Sequence, residues 1–159
     1  QEMLGVLIEF DEDIIGLNVD SKGNSAWRKR YMILSKNHKE AIPLELYGDG
    51  MKKAILLMSA VIASKNGILL IDEFETSIHT SAMNKIFSWI LRTAVKLNIQ
   101  LFITSHSKEA IDKVLKCDPT LQDKMNLYTL YKKDDSTLTR KLSCYEAIEA
   151  MDDYDIEVR

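Results

Sequence analysis

The sequence predicts a mixed α/β fold: an antiparallel β portion comes first, and a partial parallel sheet with helices follows. Two observations predict it: a turn-rich segment near the start separates β-like runs, and helical periodicity later alternates with apolar runs of strand length. With 159 residues, the chain has room for one domain and one core. We expect a single domain, with residues 1–42 as the β-rich portion and residues 43–159 as the α/β portion.

Short runs of aliphatic and aromatic residues predict strands in the first third of the chain. These runs cover residues 4–10, 14–19 and 27–34. Residues 20–24 (DSKGN) are rich in turn formers. We therefore expect the strands on either side of this turn to form an antiparallel hairpin.

Apolar residues then recur at helical spacing, with continuous apolar runs between them. The periodicity predicts helices over residues 51–65, 80–97, 107–116 and 143–151. The apolar runs predict buried strands over residues 67–71, 99–104 and 127–131. Right-handed crossovers would make these three strands parallel. Functional groups are then expected at the carboxyl ends of the strands, after Ile71 and Ile103.

Two of the predicted helices begin with capping residues. Ser107 is a candidate N-cap. Ser143 and Glu146 have the spacing of a capping box, in which each side chain bonds the backbone N–H of the other residue. Gly67 lies just beyond the first predicted helix and is expected to stop it.

Composition and charge exclude several classes of protein. Apolar residues make up 46% and charged residues 28% of the chain, which is typical of a globular domain and argues against disorder. The net charge of −3 argues against a free-standing nucleic-acid binder. The apolar runs are too short to span a bilayer and no signal peptide is visible, so we expect no membrane partner and a cytoplasmic location. Cys117 and Cys144 lack ligand spacing, which indicates a reducing compartment.

Two carboxylates directly follow the apolar run that ends at Ile71. A strand followed by Asp72 and Glu73 has the Walker B pattern. The first carboxylate would hold Mg²⁺, usually through water, and the second could deprotonate an attacking water. By itself, the pattern fits a strand that runs into an acidic loop equally well.

His106 follows the next apolar run, 34 positions after Asp72. At the end of a neighbouring strand, His106 would lie in the same crevice of the sheet edge as Asp72. In a nucleotide site it could sense the terminal phosphate of the nucleotide. Taken alone, a surface histidine at the start of a capped helix explains the residue better.

Gly48 and Gly50 precede the first helix of the α/β portion. Glycines at this place let backbone N–H groups point outward at a helix N-terminus, which is a phosphate-binding device. A simple turn that starts a helix also explains two glycines.

The order of these three motifs resembles that of an ABC-type ATPase head. The stretches PLELYGDGMKK, GILLIDEFETSIHTS and LFITSHSKEAID closely resemble the AAA-labelled ATP/GTP phosphatase group, near the OLD nucleases and the SMC-like heads. The closing DIEVR is also similar to the usual end of that group. The resemblance is strong over residues 43–111 and implies a fold like that of P-loop NTPases.

The resemblance also implies roles for individual residues. Asp72 would be the residue associated with Mg²⁺, Glu73 the general base and His106 the switch histidine. The D-loop, which crosses the dimer interface in the family, would include Glu75, Ser77 and His79. For His79, packing beneath the loop and catalysis both stay open.

The resemblance further implies a signature loop that touches the ATP of the opposite subunit. Its residues would be Gly48, Asp49, Gly50 and Lys52. Gly48 stands where many relatives have serine, so the contact is left to backbone amides and to Lys52 or Lys53.

The sequence contains no G-x-x-x-x-G-K-S/T motif. In the resembling family this P-loop comes earlier in the chain, so we expect the sequence to be the C-terminal half of an ATPase. Its partners would be its own N-terminal P-loop lobe, a second copy joined through ATP, and an effector protein or nucleic acid. The whole protein would hydrolyse ATP with Mg²⁺ to drive a partner or an attached activity, which the resemblance relates to nucleic acids or to defence. The isolated chain would bind ATP weakly or not at all.

Two other functions stay open. One is a catalytically silent interaction module. The other is a metal-dependent hydrolase or nuclease that uses Asp72, Glu73, His79 and His106 directly and binds a divalent cation without nucleotide.

Other charged and thiol groups are expected to have no catalytic role. Residues 28–30, with Lys36, His38 and Lys39, form a basic cluster that could meet nucleic acid, although a solvated strand face explains it better. Residues 134–135 and 152–153, both Asp-Asp pairs, are expected to be solvated turns, and Cys117 is expected to be inert.

Overall fold

The computed structural model describes residues 2–8, 11–20, 30–78 and 80–153. The chain divides into two compact units, Gln1–Ala63 (unit 1) and Ser64–Arg159 (unit 2). Antiparallel strands lie in unit 1, and a parallel pair of strands with helices lies in unit 2. The predicted mixed α/β class is therefore confirmed.

The described residues of unit 1 contain a three-stranded antiparallel sheet, in the order β1-β2-β3, with one α-helix before it and one after it along the chain. In chain order its elements are α1 (Glu2–Leu7), β1 (Ile14–Asp20), β2 (Arg30–Ser35), β3 (Ile42–Pro43), a 3-10 helix (Leu44–Leu46) and α2 (Asp49–Ala63).

The predicted hairpin is confirmed by the pairing of β1 with β2. Their antiparallel register runs from Ile14 opposite Ser35 to Asp20 opposite Arg30. Ile14 and Ile33 are buried and anchor the hairpin. Residues 21–24 of the predicted turn lie outside the described residues, as do two of the three residues of the basic run 28–30.

The strand predicted over residues 4–10 is wrong, because this segment begins as helix α1. The Ile8 N–H bonds the Leu4 carbonyl at 3.0 Å, which is the i to i−4 bond of a helix. Leu7 is fully buried, whereas Ile8 is exposed. A short apolar run fits a strand or a helix equally well in sequence, and here the helical spacing of Leu4 and Leu7 decides.

Helix α2 is confirmed, with its start two residues earlier than predicted. Its buried residues follow the helical period: Met51, Ala54, Ile55, Met58 and Val61. After the helix, which was expected to stop at Gly67, Asn66 takes the left-handed conformation (φ 57°). Asparagine tolerates this conformation better than most residues with a side chain.

Unit 2 contains a parallel pair of strands, a hairpin and three α-helices. In chain order its elements are β4 (Ile68–Ile71), a 3-10 helix (Phe74–Ser77), α3 (Thr80–Lys96), β5 (Gln100–Ile103), α4 (Lys108–Lys116), a 3-10 helix (Pro119–Lys124), β6 (Asn126–Lys133), β7 (Ser136–Ser143) and α5 (Cys144–Asp153).

The prediction that the third apolar strand is parallel to the first two is wrong. Strand β6 pairs antiparallel with β7, a strand that the sequence analysis did not predict. Only Asp134 and Asp135 separate them, and a parallel crossover needs a dozen residues or more. This confirms the turn predicted for these two residues, with Asp134 at φ 53°.

Residues 152–153 form the end of helix α5 rather than the expected turn. The Asp152 carboxylate accepts a hydrogen bond from Lys116 Nζ at 2.7 Å. This ion pair joins the C-terminal ends of α4 and α5.

The core of unit 2 is built around α3. This helix buries Met83, Ile86, Phe87, Ile90 and Ala94. The Phe87 ring meets the Phe74 ring edge-on, with centroids 4.6 Å apart. Phe74 lies directly after the strand end that carries the candidate carboxylates, so the core reaches up to that edge.

A second cluster joins α4 to α5 through Leu115, Cys144 and Ala147. Next to it, Asp118 is 1% exposed and accepts hydrogen bonds from Thr120 and Arg92, which hold the pKa of its carboxyl below the usual range. Burial raises the pKa of the Cys117 thiol to about 11, so the thiol is protonated at neutral pH.

Both predicted helix caps are confirmed. Ser107 Oγ accepts the Ala110 N–H at 3.2 Å at the start of α4. At the start of α5, Glu146 Oε2 accepts the Ser143 N–H at 2.8 Å, and the Glu146 N–H donates to Ser143 Oγ at 3.3 Å. In the described part of the chain, no helix is long and apolar enough to cross a membrane.

Removing the capping hydroxyl of α5 should destabilise the protein. We expect Ser143→Ala to lower the free energy of unfolding by about 1 kcal/mol, because a backbone N–H of the helix loses its acceptor. Urea unfolding measures this. The matched control is Ser136→Ala at the exposed start of the same strand, which should stay within about 0.5 kcal/mol. Equal effects of the two substitutions would contradict the cap.

Candidate active site

The parallel register of β4 and β5 brings the residues after both strands to one edge of the sheet. Ile71 lies opposite Ile103, and the Thr104 N–H continues the ladder to the Ile71 carbonyl at 2.9 Å. Asp72 and Thr104 are therefore neighbours. This confirms that the two strands are parallel and that their carboxyl ends meet.

The Thr104 hydroxyl links both candidate carboxylate residues. It donates a hydrogen bond to Asp72 Oδ1 and accepts the backbone N–H of Glu73 at 3.0 Å. One hydroxyl thus fixes the Asp72 side chain and the Glu73 backbone together. No role was predicted for Thr104 from the sequence, although its position directly after an apolar strand was a signal for one.

Glu73 has a left-handed backbone conformation, with φ 45° and ψ 53°. This conformation costs a residue with a side chain about 1–2 kcal/mol. The Glu73 carbonyl compensates by accepting the N–H of Thr76 at 3.1 Å and its hydroxyl at 2.9 Å. The chain therefore turns sharply out of β4, and the Glu73 side chain stays 52% exposed.

The structure brings His106 close to Glu73. His106 Nε2 lies 3.6 Å from Glu73 Oε1, and the histidine side chain is 83% exposed. This distance is slightly longer than a hydrogen bond. The two groups face solvent at the same edge, where both can meet a bound substrate.

Glu75 connects the 3-10 helix after β4 with the loop after β5. Its Oε1 accepts the backbone N–H of His106 at 2.9 Å. Burial by itself raises the pKa of Glu75, but hydrogen bonds from the backbone N–H groups of Glu75 and His106, together with the nearby Ser105 hydroxyl and the charge of the His106 ring, outweigh it, so the pKa lies below its usual value. The carboxylate is therefore ionised at neutral pH.

The other predicted D-loop residues are less fully described. Ser77 ends the 3-10 helix Phe74–Ser77. His79 lies outside the described residues.

The predicted signature loop belongs to unit 1. The Gly48 carbonyl accepts the N–H of Met51 at 3.1 Å, and Asp49 begins helix α2. Lys52 Nζ pairs with Asp49 Oδ1 at 3.1 Å. A Cβ placed on Gly48 or Gly50 would meet open space, so the surroundings do not require glycine there. The contact of this loop with the nucleotide of another subunit stays a prediction.

The donor set at the sheet edge fits Mg²⁺ only if most of its ligands come from water and substrate. Asp72 offers an exposed carboxylate held by Thr104. Within the described ranges, no group of three or more His, Cys, Asp or Glu side chains could hold a metal ion. Mg²⁺ in phosphoryl-transfer sites is bound in this way, through one or two carboxylates together with waters and phosphates.

The fold of the chain is that of SMC ATPase heads. A solved structure described as showing ATP-driven dimerization and DNA-stimulated activation of SMC ATPases matches with a TM-score of 0.63 and 10% identity, over 96% of this chain and 88% of that one. An SMC head bound to the C-terminal winged-helix domain of ScpA matches with a TM-score of 0.62 and 11% identity, over 93% of this chain and 43% of that one.

Residues 2–112 match the family described as "AAA domain, putative AbiEii toxin, Type IV TA system", so the chain belongs to that family of ABC-type ATPase domains. An ATP/GTP phosphatase of Helicobacter pylori is 29% identical over 119 residues. This alignment covers 70% of the chain and only 30% of the Helicobacter protein.

Removing the Thr104 hydroxyl should loosen the backbone of Glu73. We expect Thr104→Val, which keeps the side-chain shape, to speed hydrogen exchange of the Glu73 amide by about tenfold, because the N–H loses its acceptor. Exchange followed by NMR measures this rate. Thr104→Ser keeps the hydroxyl and is the matched control, and an equal rate in both variants would count against the bridge.

Proposed function

We propose that this chain carries the general base, the Mg²⁺-associated carboxylate and the switch histidine of an ATPase. One observation carries the proposal: Asp72, Glu73 and His106 lie together at the carboxyl edge of β4 and β5, with the first two tied by Thr104. Membership in a family of ABC-type ATPase domains supports the same reaction.

Each group at the sheet edge has a distinct chemical task in this proposal. Glu73, exposed and adjacent to His106, would take the proton from the water that attacks the terminal phosphate. His106 would contact that phosphate and orient it against Glu73. Asp72 would hold Mg²⁺, which neutralises phosphate charge when bound.

We also propose that a P-loop lobe from another part of the protein completes the site. Ile68, Leu70 and Phe102 alternate along β4 and β5, and all three are exposed on the sheet, by 63%, 73% and 47%. Parallel sheets are normally covered on both faces. The chain covers only 30% of its Helicobacter relative and 43% of one solved head, so further chain accompanies this fold in those proteins.

We propose that the whole protein dimerises on ATP. Each signature loop, Gly48 to Gly50 with Lys52, would then meet the nucleotide of the other subunit. The SMC structure described above reports ATP-driven dimerization for its own proteins, and this chain shares their fold. Hydrolysis would release the dimer and drive an effector protein or a nucleic-acid-directed activity.

The first prediction for this function concerns the general base. In the full-length protein, Glu73→Gln should lower kcat for Mg²⁺-ATP by about 10²–10⁴-fold, because the amide cannot accept the proton of the attacking water. ATP should then trap the dimer. Phosphate release measures turnover, and light scattering measures the dimer.

Glu149→Gln is the control for this variant, since Glu149 is an exposed glutamate on α5 and should leave turnover unchanged. Unchanged turnover in Glu73→Gln would contradict the proposal. Loss of a nucleotide-independent nuclease activity in the same variant would indicate the metal-dependent hydrolase instead.

A second prediction concerns the signature loop. Gly48→Ser places a hydroxyl in open space at the start of α2. If this loop contacts ATP in trans, the added donor should tighten the ATP-dependent dimer by about 2- to 10-fold, the effect of one hydrogen bond. Light scattering against protein concentration in the Glu73→Gln background measures this. Gly48→Ala adds the Cβ without the hydroxyl, and equal dimerisation of both variants would argue against the loop assignment.

A further inference from the structure

The loops that follow β4 and β5 are linked a second time, beyond Thr104. The first link joins Thr104 to Asp72 and Glu73 at the strand ends. The second joins Glu75 Oε1 to the backbone N–H of His106 at 2.9 Å. Between these links lie the two groups proposed for chemistry, Glu73 and the His106 ring.

The Glu75 carboxylate is held in place rather than solvated. Its Oε2 is buried and has no hydrogen-bond partner among the described residues. The hydrogen bonds of an ionised acceptor are about twice as strong as those between neutral groups. The other oxygen, Oε1, accepts the His106 backbone N–H at 2.9 Å, so the ionised carboxylate and the His106 backbone are held together.

Among the described residues, no side chain lies within normal hydrogen-bond distance of the His106 ring. Its side chain is 83% exposed, and the Glu73 carboxylate at 3.6 Å is beyond normal hydrogen-bond distance. The position of the ring therefore depends on the backbone that carries it. Glu75 is the side chain that bonds this backbone at the residue itself.

We propose that Glu75 is a positioning residue that sets the His106 ring opposite Glu73 by holding the His106 backbone N–H. The catalytic consequence rests on the proposed ATPase function, whereas the structural link does not. Glu75 lies in the 3-10 helix Phe74–Ser77, which the resemblance assigns to the D-loop, so this hydrogen bond connects the D-loop with the backbone of His106.

The link itself can be tested without nucleotide. In the full-length protein, Glu75→Ala should speed hydrogen exchange in peptides that cover residues 104–108 at least about tenfold, because a charged acceptor is lost. Glu75→Gln keeps an amide oxygen and should exchange much more slowly than Glu75→Ala. Glu109→Ala is the matched control, because its carboxylate bonds Lys113 at 2.7 Å rather than this backbone. Exchange that Glu75→Ala leaves unchanged would overturn the proposal.

Turnover tests the consequence of the link. Glu75→Ala should lower kcat for ATP by about tenfold with KM little changed, and Glu75→Gln should keep most of the activity. In a His106→Ala background, Glu75→Ala should cause no further loss, because Glu75 acts through His106. A full additional loss in that background would overturn the positioning role. If the unmodified protein shows no turnover, the ATPase proposal fails, and the exchange experiment still decides whether Glu75 holds His106.

Discussion

The candidate site depends on one constraint, the parallel register of β4 with β5. Because Ile71 lies opposite Ile103, the next residue of each strand, Asp72 and Thr104, are neighbours, and the Thr104 hydroxyl reaches both carboxylate residues. A shift of one residue would turn every side chain of a strand to the opposite face. The buried face of α3, in the connection between the strands, provides the core beneath this edge.

The reactive groups are exposed, while the backbone beneath them is fixed. Glu73 and His106 keep their side chains in solvent, but the Glu73 N–H and the His106 N–H are each bonded by a neighbouring side chain, Thr104 and Glu75. An enzyme needs this combination, because the groups must meet a ligand and yet hold their geometry within a fraction of an ångström. The links cross between the two loops, so neither loop can move far alone.

Periodicity and capping residues predicted most of this fold. The spacing of Ile55, Met58 and Val61 predicted α2, and the Ser143–Glu146 pair predicted the start of α5. Residues 4–8 were ambiguous because a short apolar run suits either secondary structure, and β7 was missed because it is mostly polar. At the site, motif order identified Asp72, Glu73 and His106, but the bridging role of Thr104 depends on strand register, which no local pattern in the sequence reveals.

The left-handed backbone at Glu73 has an evolutionary consequence. Glycine adopts φ 45° at no steric cost, so on conformational grounds alone it suits this position better than glutamate. In the proposed mechanism, the protein keeps a residue with a conformational cost at this position because its carboxylate acts as the base, which trades stability for activity. We therefore expect a laboratory selection for thermal stability alone to favour glycine at position 73. The selected proteins would be more stable and would lack the proposed base.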